Sequence, residues 1–180
     1  MRYIITDLEA TCWENTRNTD RMEIIEIGAV EMLSASGPFA REFSRFVRPV
    51  VEPQLSGFCK QLTSISQANV DQTEIFWTVF HEYLEWIGPA PYTLCTWGAY
   101  DVNQFSIDCR RHGIPFPEEF NQHINLKKAF AYEFKVRSCG MAKALQIAKI
   151  PLEGSHHRGI DDARNIAKLA ALVLPKVESQ

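Results

Sequence analysis

MRYIITDLEATCW, residues 1–13, contains a strand that carries charge where its neighbours are apolar. Residues 3–9 have the short apolar run of a β-strand. Asp7 and Glu9 are two apart, so in a strand their carboxylates leave the same face. Two close anions repel, and each loses hydration on burial. A hard divalent cation, Mg²⁺ or Mn²⁺, takes oxygen ligands and relieves both costs. The competing reading is a strand end with two solvated acids.

Working outward, residues 11–21 are polar and turn-like. EIIEIGAVEML, residues 23–33, alternates, with Ile25, Ile27 and Ala29 on one side. A Ser-Ala-Ser-Gly-Pro turn leads to EFSRFVRP, residues 42–49, where Phe43 and Val47 face one way and Phe46 the other. These three strands read as antiparallel. Residues 61–69 form a short helix or turn, and the apolar stripe from Ile75 to Ile87 predicts a helix over 72–87, stopped by Gly88-Pro89. YTLCTW, residues 92–97, predicts a fourth strand, and a helix runs from Asp101 to His112. A short strand over 121–125, a helix over 126–134 and a helix within 138–150 follow. The last helix runs from Asp161 to Val173, with Pro175 ending it. Strands first and helices interleaved later give a mixed α/β fold. The expected organisation is one domain over residues 1–176 and a short frayed tail at 177–180.

The 180 residues are 46% hydrophobic and 23% charged, ordinary values for a globular protein, with no apolar run of membrane-spanning length. The start is a poor signal peptide because Asp7 and Glu9 interrupt it, so the cytoplasm is the expected location and no membrane partner is expected. Five cysteines without a CxxC pair argue against a disulfide framework or a cysteine zinc site. The net charge of −3 is no polyanion magnet, but Arg110, Arg111, Lys127, Lys128, Lys135, Arg137, Lys143 and Arg158 cluster in the second half. Gathered on one cleft they would steer a phosphate backbone; scattered, they are a solvated surface.

Three further residues join the first two acids. Asp101 opens a helix just after the fourth strand, as an N-cap, a metal ligand or both. His157 and Asp162 bracket a glycine-containing turn before the last helix; Asp161 reads as the cap and Asp162 as the ligand. An unperturbed histidine, with a pKa of about 6.5, accepts a proton from water near neutrality. The expected chemistry is in-line phosphodiester hydrolysis with two divalent ions about 3.5–4 Å apart, held by Asp7, Glu9, Asp101 and Asp162. Phe105 and Trp97 are aromatic candidates for base stacking, against a core-packing alternative, and Arg158 is a candidate phosphate contact.

These residues resemble the DEDDh class of 3′–5′ exonucleases. DLE matches its first motif, the YD of TWGAYD its second, and HRGIDDA its third, which singles out His157 and Asp162 over His156 and Asp161. EATCW, EIIEIGAV, FVRPV, LSGFC, LTSI, INLKKAF and HHRGIDDARNIA are similar to the subgroup that acts on histone mRNA and regulates RNA interference, and to its bacterial relatives, including the sporulation kinase-pathway inhibitor. The resemblance implies a ribonuclease-H-like fold, with a mixed five-stranded sheet flanked by helices. It implies removal of nucleoside 5′-monophosphates from the 3′ end of single-stranded RNA or DNA, RNA preferred, by a monomer or homodimer. It implies a nucleobase pocket in which Ala10 and Thr11 approach the terminal nucleotide and Phe58 and Leu62 stack or pack against it. Many relatives have glycine where this chain has Ser64. The alternatives are a proofreading or repair subunit acting on DNA, and a regulatory module that binds a signalling partner without turnover.

Overall fold

The computed structural model describes residues 1–15 and 19–179, so the turn expected over 11–21 lies partly outside the described residues, as does Gln180. Three strands open the fold: β1 (Arg2–Ala10), β2 (Ile24–Met32) and β3 (Phe39–Phe46). Two short helices, α1 (Gly57–Thr63) and α2 (Gln67–Asp71), precede α3 (Phe76–Ile87). Then come β4 (Tyr92–Thr96), α4 (Tyr100–His112), β5 (Ile124–Asn125), α5 (Leu126–Glu133), α6 (Met141–Ala148) and α7 (Gly159–Val177).

The five strands make one mixed sheet in the order β3-β2-β1-β4-β5. β1 runs antiparallel to β2 and parallel to β4, so it lies at the centre. Alternation then divides its side chains. Tyr3 and Ile5 pack under Ala163, Ile166 and Ala170 of α7. Ile4 and Leu8 pack with Phe80, Tyr83 and Phe105 of α3 and α4 on the other face. Asp7 and Glu9 continue the Tyr3–Ile5 row, so the acids emerge on the α7 face.

α7 lies very close to the sheet. A side-chain carbon at Gly28 of β2 would come within 2.0 Å of the Gly159 carbonyl carbon, and one at Gly159 within 3.1 Å of the Asp7 carbonyl oxygen. Only hydrogen at Gly28 lets the start of α7 rest on β1 and β2, and the fit at Gly159 is tight.

Several boundaries differ from the sequence expectation. α3 begins four residues late because Ile75 is extended and bridges to Arg48, whose N–H donates to the Glu74 carbonyl at 2.9 Å. The strand expected over 121–125 is a 3-10 turn over Glu118–Gln122 followed by the two-residue β5. α7 starts two residues before Asp161 and runs through Pro175 to Val177. Proline withdraws one N–H from the helix, and the turn recovers at once as Glu178 N–H donates to the Leu174 carbonyl at 3.0 Å. Glu178 also accepts the Tyr3 hydroxyl, so this part of the tail is tied to β1. Ser64 ends α1 in the left-handed region at φ 58°. No described helix is long and apolar enough to cross a membrane.

Gly28→Ala is expected to destabilise the protein by about 3 kcal/mol or more, because the new methyl meets backbone that cannot step aside. The expected fall in melting temperature is roughly 6–12 °C; an unchanged melting curve would contradict the close contact.

Candidate active site

Each acid reaches the site through a different local device. Asp7 and Glu9 come from the central strand. Asp101 comes from the start of α4 and is pinned by backbone: pairing between β1 and β4 runs only to Thr6–Thr96, and beyond it the Leu8 N–H donates to Asp101 Oδ1 at 3.1 Å. The carboxylate of Asp101 is thereby tied to the β1 backbone at Leu8, between Asp7 and Glu9 in the chain. Asp162, in the first turn of α7, accepts the His157 N–H at 3.0 Å. Asp7, Glu9 and Asp162 each offer a carboxylate oxygen within 4.8 Å of the others.

Burial pushes Asp7, Glu9 and Asp101 up, and repulsion from neighbouring acids adds to the rise of Asp7 and Glu9. Asp7 rises well above the carboxylate range, first through lost hydration and then through Asp101, Glu9 and Asp162. Glu9 rises to about 9 through burial, then the charges of Asp162 and Glu26. Asp101 rises to about 7 through burial, against the hydrogen bond from Leu8. Three acids with oxygens this close, and Asp101 in the same cleft, are costly as bare anions and fit hard divalent cations.

The cleft over this cluster has a volume of about 360 Å³ and is lined by Asp7, Leu8, Glu9, Trp97, Tyr100, Asp101, Gly140, Met141, Ala142, His156, His157 and Asp162. His157 has a left-handed backbone at φ 65°, and its imidazole is held below the ordinary histidine value by burial and by His156, with Asp162 opposing. It is therefore neutral at pH 7 and can accept a proton. His156 Nδ1 lies 3.0 Å from Asp162 Oδ2, and its ring stacks on that of His157 with centroids 4.0 Å apart.

A second cleft, of about 500 Å³, is lined by Glu14, Phe58, Gln61 and Leu62. α1 carries it and docks at the end of β1: Ser56 Oγ donates to the Cys12 carbonyl at 2.6 Å, and Cys59 Sγ lies 3.7 Å from the Ala10 carbonyl. Phe58 and Leu62 are exposed there, whereas Ala10 and Thr11 are buried. Thr11 Oγ1 accepts the Glu23 N–H at 3.0 Å, and its own N–H donates to the Glu23 carbonyl at 2.8 Å. Ala10 and Thr11 thus support the strand end rather than offer side chains to a ligand.

Two expected site residues lie elsewhere. Phe105 is fully buried against Phe80, Tyr83 and Phe120, on the face of the sheet opposite the acids, and is a core residue rather than a stacking platform. Arg158 is not free for phosphate: its Nε and Nη2 donate to Glu26 at 3.1 and 3.3 Å. The cap assigned to Asp161 is also corrected. Arg158 holds the N-cap position, and Asp161 instead accepts the Ser155 N–H at 2.9 Å. Of the basic residues, Arg111 is paired with Asp108, while exposed Arg137 and Lys143 flank the cleft-lining segment Gly140–Ala142. Sequence reasoning missed Tyr100, Met141 and His156 as cleft residues; Tyr100 carried a signal in its position directly before Asp101. The five cysteines are free.

Central acidic strand, mixed sheet and a histidine loop ahead of α7 give the architecture of the ribonuclease-H-like exonuclease fold. The chain belongs to the exonuclease family RNase_T, which matches residues 4–170. It is 31% identical over 189 residues to ERI1 exoribonuclease 2 of Mus musculus, covering 93% of this chain and 28% of that one. It is 32% identical over 179 residues to 3′-5′ exoribonuclease 1 of Rattus norvegicus, covering 94% of this chain and 52% of that one. The chain thus spans between about a quarter and about half of these relatives. The nuclease domain of 3′hExo, a DEDDh family member bound to rAMP, superposes with a TM-score of 0.91 at 30% identity, covering 97% of this chain and 92% of that one. Exonucleases of this DEDDh type generally use divalent metal ions.

The raised acids give a sign to the pH dependence. Carboxylates in an unfolded chain titrate near about 4. The folded, metal-stripped protein keeps protons on Glu9 up to about 9 and on Asp101 up to about 7 that the unfolded chain has already released. Stability therefore falls as pH rises through that window. The melting temperature of metal-stripped protein is expected to decline from about pH 5 to about pH 9, with added Mn²⁺ restoring it most at the alkaline end. A flat profile in calorimetry would contradict the crowding.

Proposed function

We propose that this chain is a metal-dependent 3′–5′ exonuclease of single-stranded nucleic acid, RNA preferred, that releases nucleoside 5′-monophosphates. The observation that carries the reading is the convergence of Asp7, Glu9, Asp101 and Asp162 beneath a neutral histidine. The similarity to exoribonucleases and to an rAMP-bound nuclease domain supports RNA as the substrate.

Asp7, Glu9, Asp101 and Asp162 would hold two Mg²⁺ or Mn²⁺ ions. Such ions neutralise the charge that builds on a phosphodiester under attack and make water a better nucleophile. The protein's own groups do the rest. His157, neutral and open to the cleft, takes the proton from the attacking water. Asp162 holds the His157 N–H and so sets the height of the histidine loop over the acids. Phe58 and Leu62 present apolar surface beside the end of β1, where a terminal base can be gripped. Stacking there contributes about 1–3 kcal/mol and is indifferent to base identity. Arg137 and Lys143 lie where they can attract the following phosphates.

The test is a 5′-labelled single-stranded RNA and its DNA counterpart, incubated with Mn²⁺, Mg²⁺ or EDTA. The expected result is a ladder shortening from the 3′ end, abolished by EDTA and faster on RNA. His157→Ala and Asp101→Asn should each lower kcat by about 100-fold or more while leaving the fold intact. No ladder on either strand, beside an active control nuclease, would overturn the reading.

A further inference from the structure

Glu26 stands outside the acid tetrad, yet its carboxylate is fully buried one strand away from it. The sheet register places Glu9 opposite Glu26 and Glu26 opposite Phe46. The three side chains therefore form one row across β1, β2 and β3, on the face beneath α7. Glu9 ends that row in the acid cluster. Glu26 accepts the Gly159 N–H at 2.9 Å together with both contacts from the Arg158 guanidinium. The same guanidinium lies over the Phe46 ring, 5.0 Å from its centroid. A buried carboxylate beside a metal-binding cluster adds negative charge where there is already too much, and an apolar side chain would be cheaper to bury. What Glu26 supplies instead is direction: a charged, two-pronged hold on the residue that directly follows His157.

We propose that Glu26, through Arg158 seated on Phe46, is a positioning residue that fixes His157 over the acid cluster. The inference rests on the exonuclease reading above. The 154–158 loop is held on one side by Asp161 and Asp162, which accept the Ser155 and His157 amides. Glu26 holds the other side. With one hold gone, His157 pivots on the remaining one. Because misplacing a catalytic group by about 1 Å can cost about 100-fold, the loss falls on turnover and spares substrate binding.

The experiment compares wild type, Glu26→Gln, Arg158→Lys, Arg158→Gln and the Glu26→Gln/Arg158→Gln double variant on single-stranded RNA with Mn²⁺. Melting curves and Mn²⁺ titration calorimetry accompany the kinetics. Glu26→Gln is expected to lower kcat about 10–100-fold, with KM and Mn²⁺ affinity within about twofold of wild type. Arg158→Lys keeps the charge without the fork and should recover part of what Arg158→Gln loses. The double variant should be no slower than the slower single, because the pair acts as one unit. Unchanged kcat in Glu26→Gln, or additive losses in the double variant, would overturn the assignment. A raised KM with kcat kept in the Arg158 variants would also overturn it, by placing Arg158 on the substrate. If Glu26→Gln does not fold, Arg158→Lys carries the test, and wild-type kcat there rejects the proposal. A wild type that is itself inactive beside a control nuclease removes the exonuclease reading and this assignment with it. That outcome is told apart because every protein in the set is silent.

Discussion

The contact on which everything else rests is backbone against backbone: the first turn of α7 lying directly on β1 and β2 at Gly28 and Gly159. Helices normally sit off a sheet by the length of two side chains. Here that spacing vanishes at one point, and α7 tilts down onto the strand that carries Asp7 and Glu9. Asp162 enters the acid cluster only because of this. Farther along, α7 returns to ordinary packing, with Ile166, Ala170 and Val173 over the Tyr3–Ile5 row. The helix is therefore anchored by its apolar length and aimed by its glycine end.

The electrostatics pull against that geometry. Bringing Asp7, Glu9, Asp101 and Asp162 together raises the cost of ionising Asp7, Glu9 and Asp101, through lost water first and, for Asp7 and Glu9, through the neighbouring charges second. The fold tolerates this because each carboxylate is fixed by something other than its neighbours: strand alternation for Asp7 and Glu9, the Leu8 amide for Asp101, the His157 amide for Asp162. Acids held in this way need not be gathered at the moment a cation binds.

Much of this was legible in the chain. The odd-numbered placement of Asp7 and Glu9 on a strand put them on one face before any coordinates. Asp101 at a helix start and Asp162 just inside the last helix followed from periodicity and from glycine and proline signals. What was hidden has particular causes. Phe105 in the sequence is equally an aromatic of the core or of a stacking site, and only the position of α4 relative to Phe80 and Tyr83 decides it. Arg158 next to the cleft histidine looks like a phosphate ligand until Glu26, distant in sequence, is seen beneath it. The late start of α3 depends on a bridge between Ile75 and Arg48, a pairing that no local pattern announces. Pro175 inside α7 shows the limit of a local rule when the apolar face of a helix is already committed to a core.

The order of the elements has a consequence for synthesis. Three strands and α4 bring Asp7, Glu9 and Asp101 into being early, but Asp162 and the histidine loop belong to α7, the last element of the fold. A chain still emerging from the ribosome can pair β1, β2 and β3 before its acid cluster is complete. The fourth acid joins the other three only when residues around 162 have been released and α7 has docked.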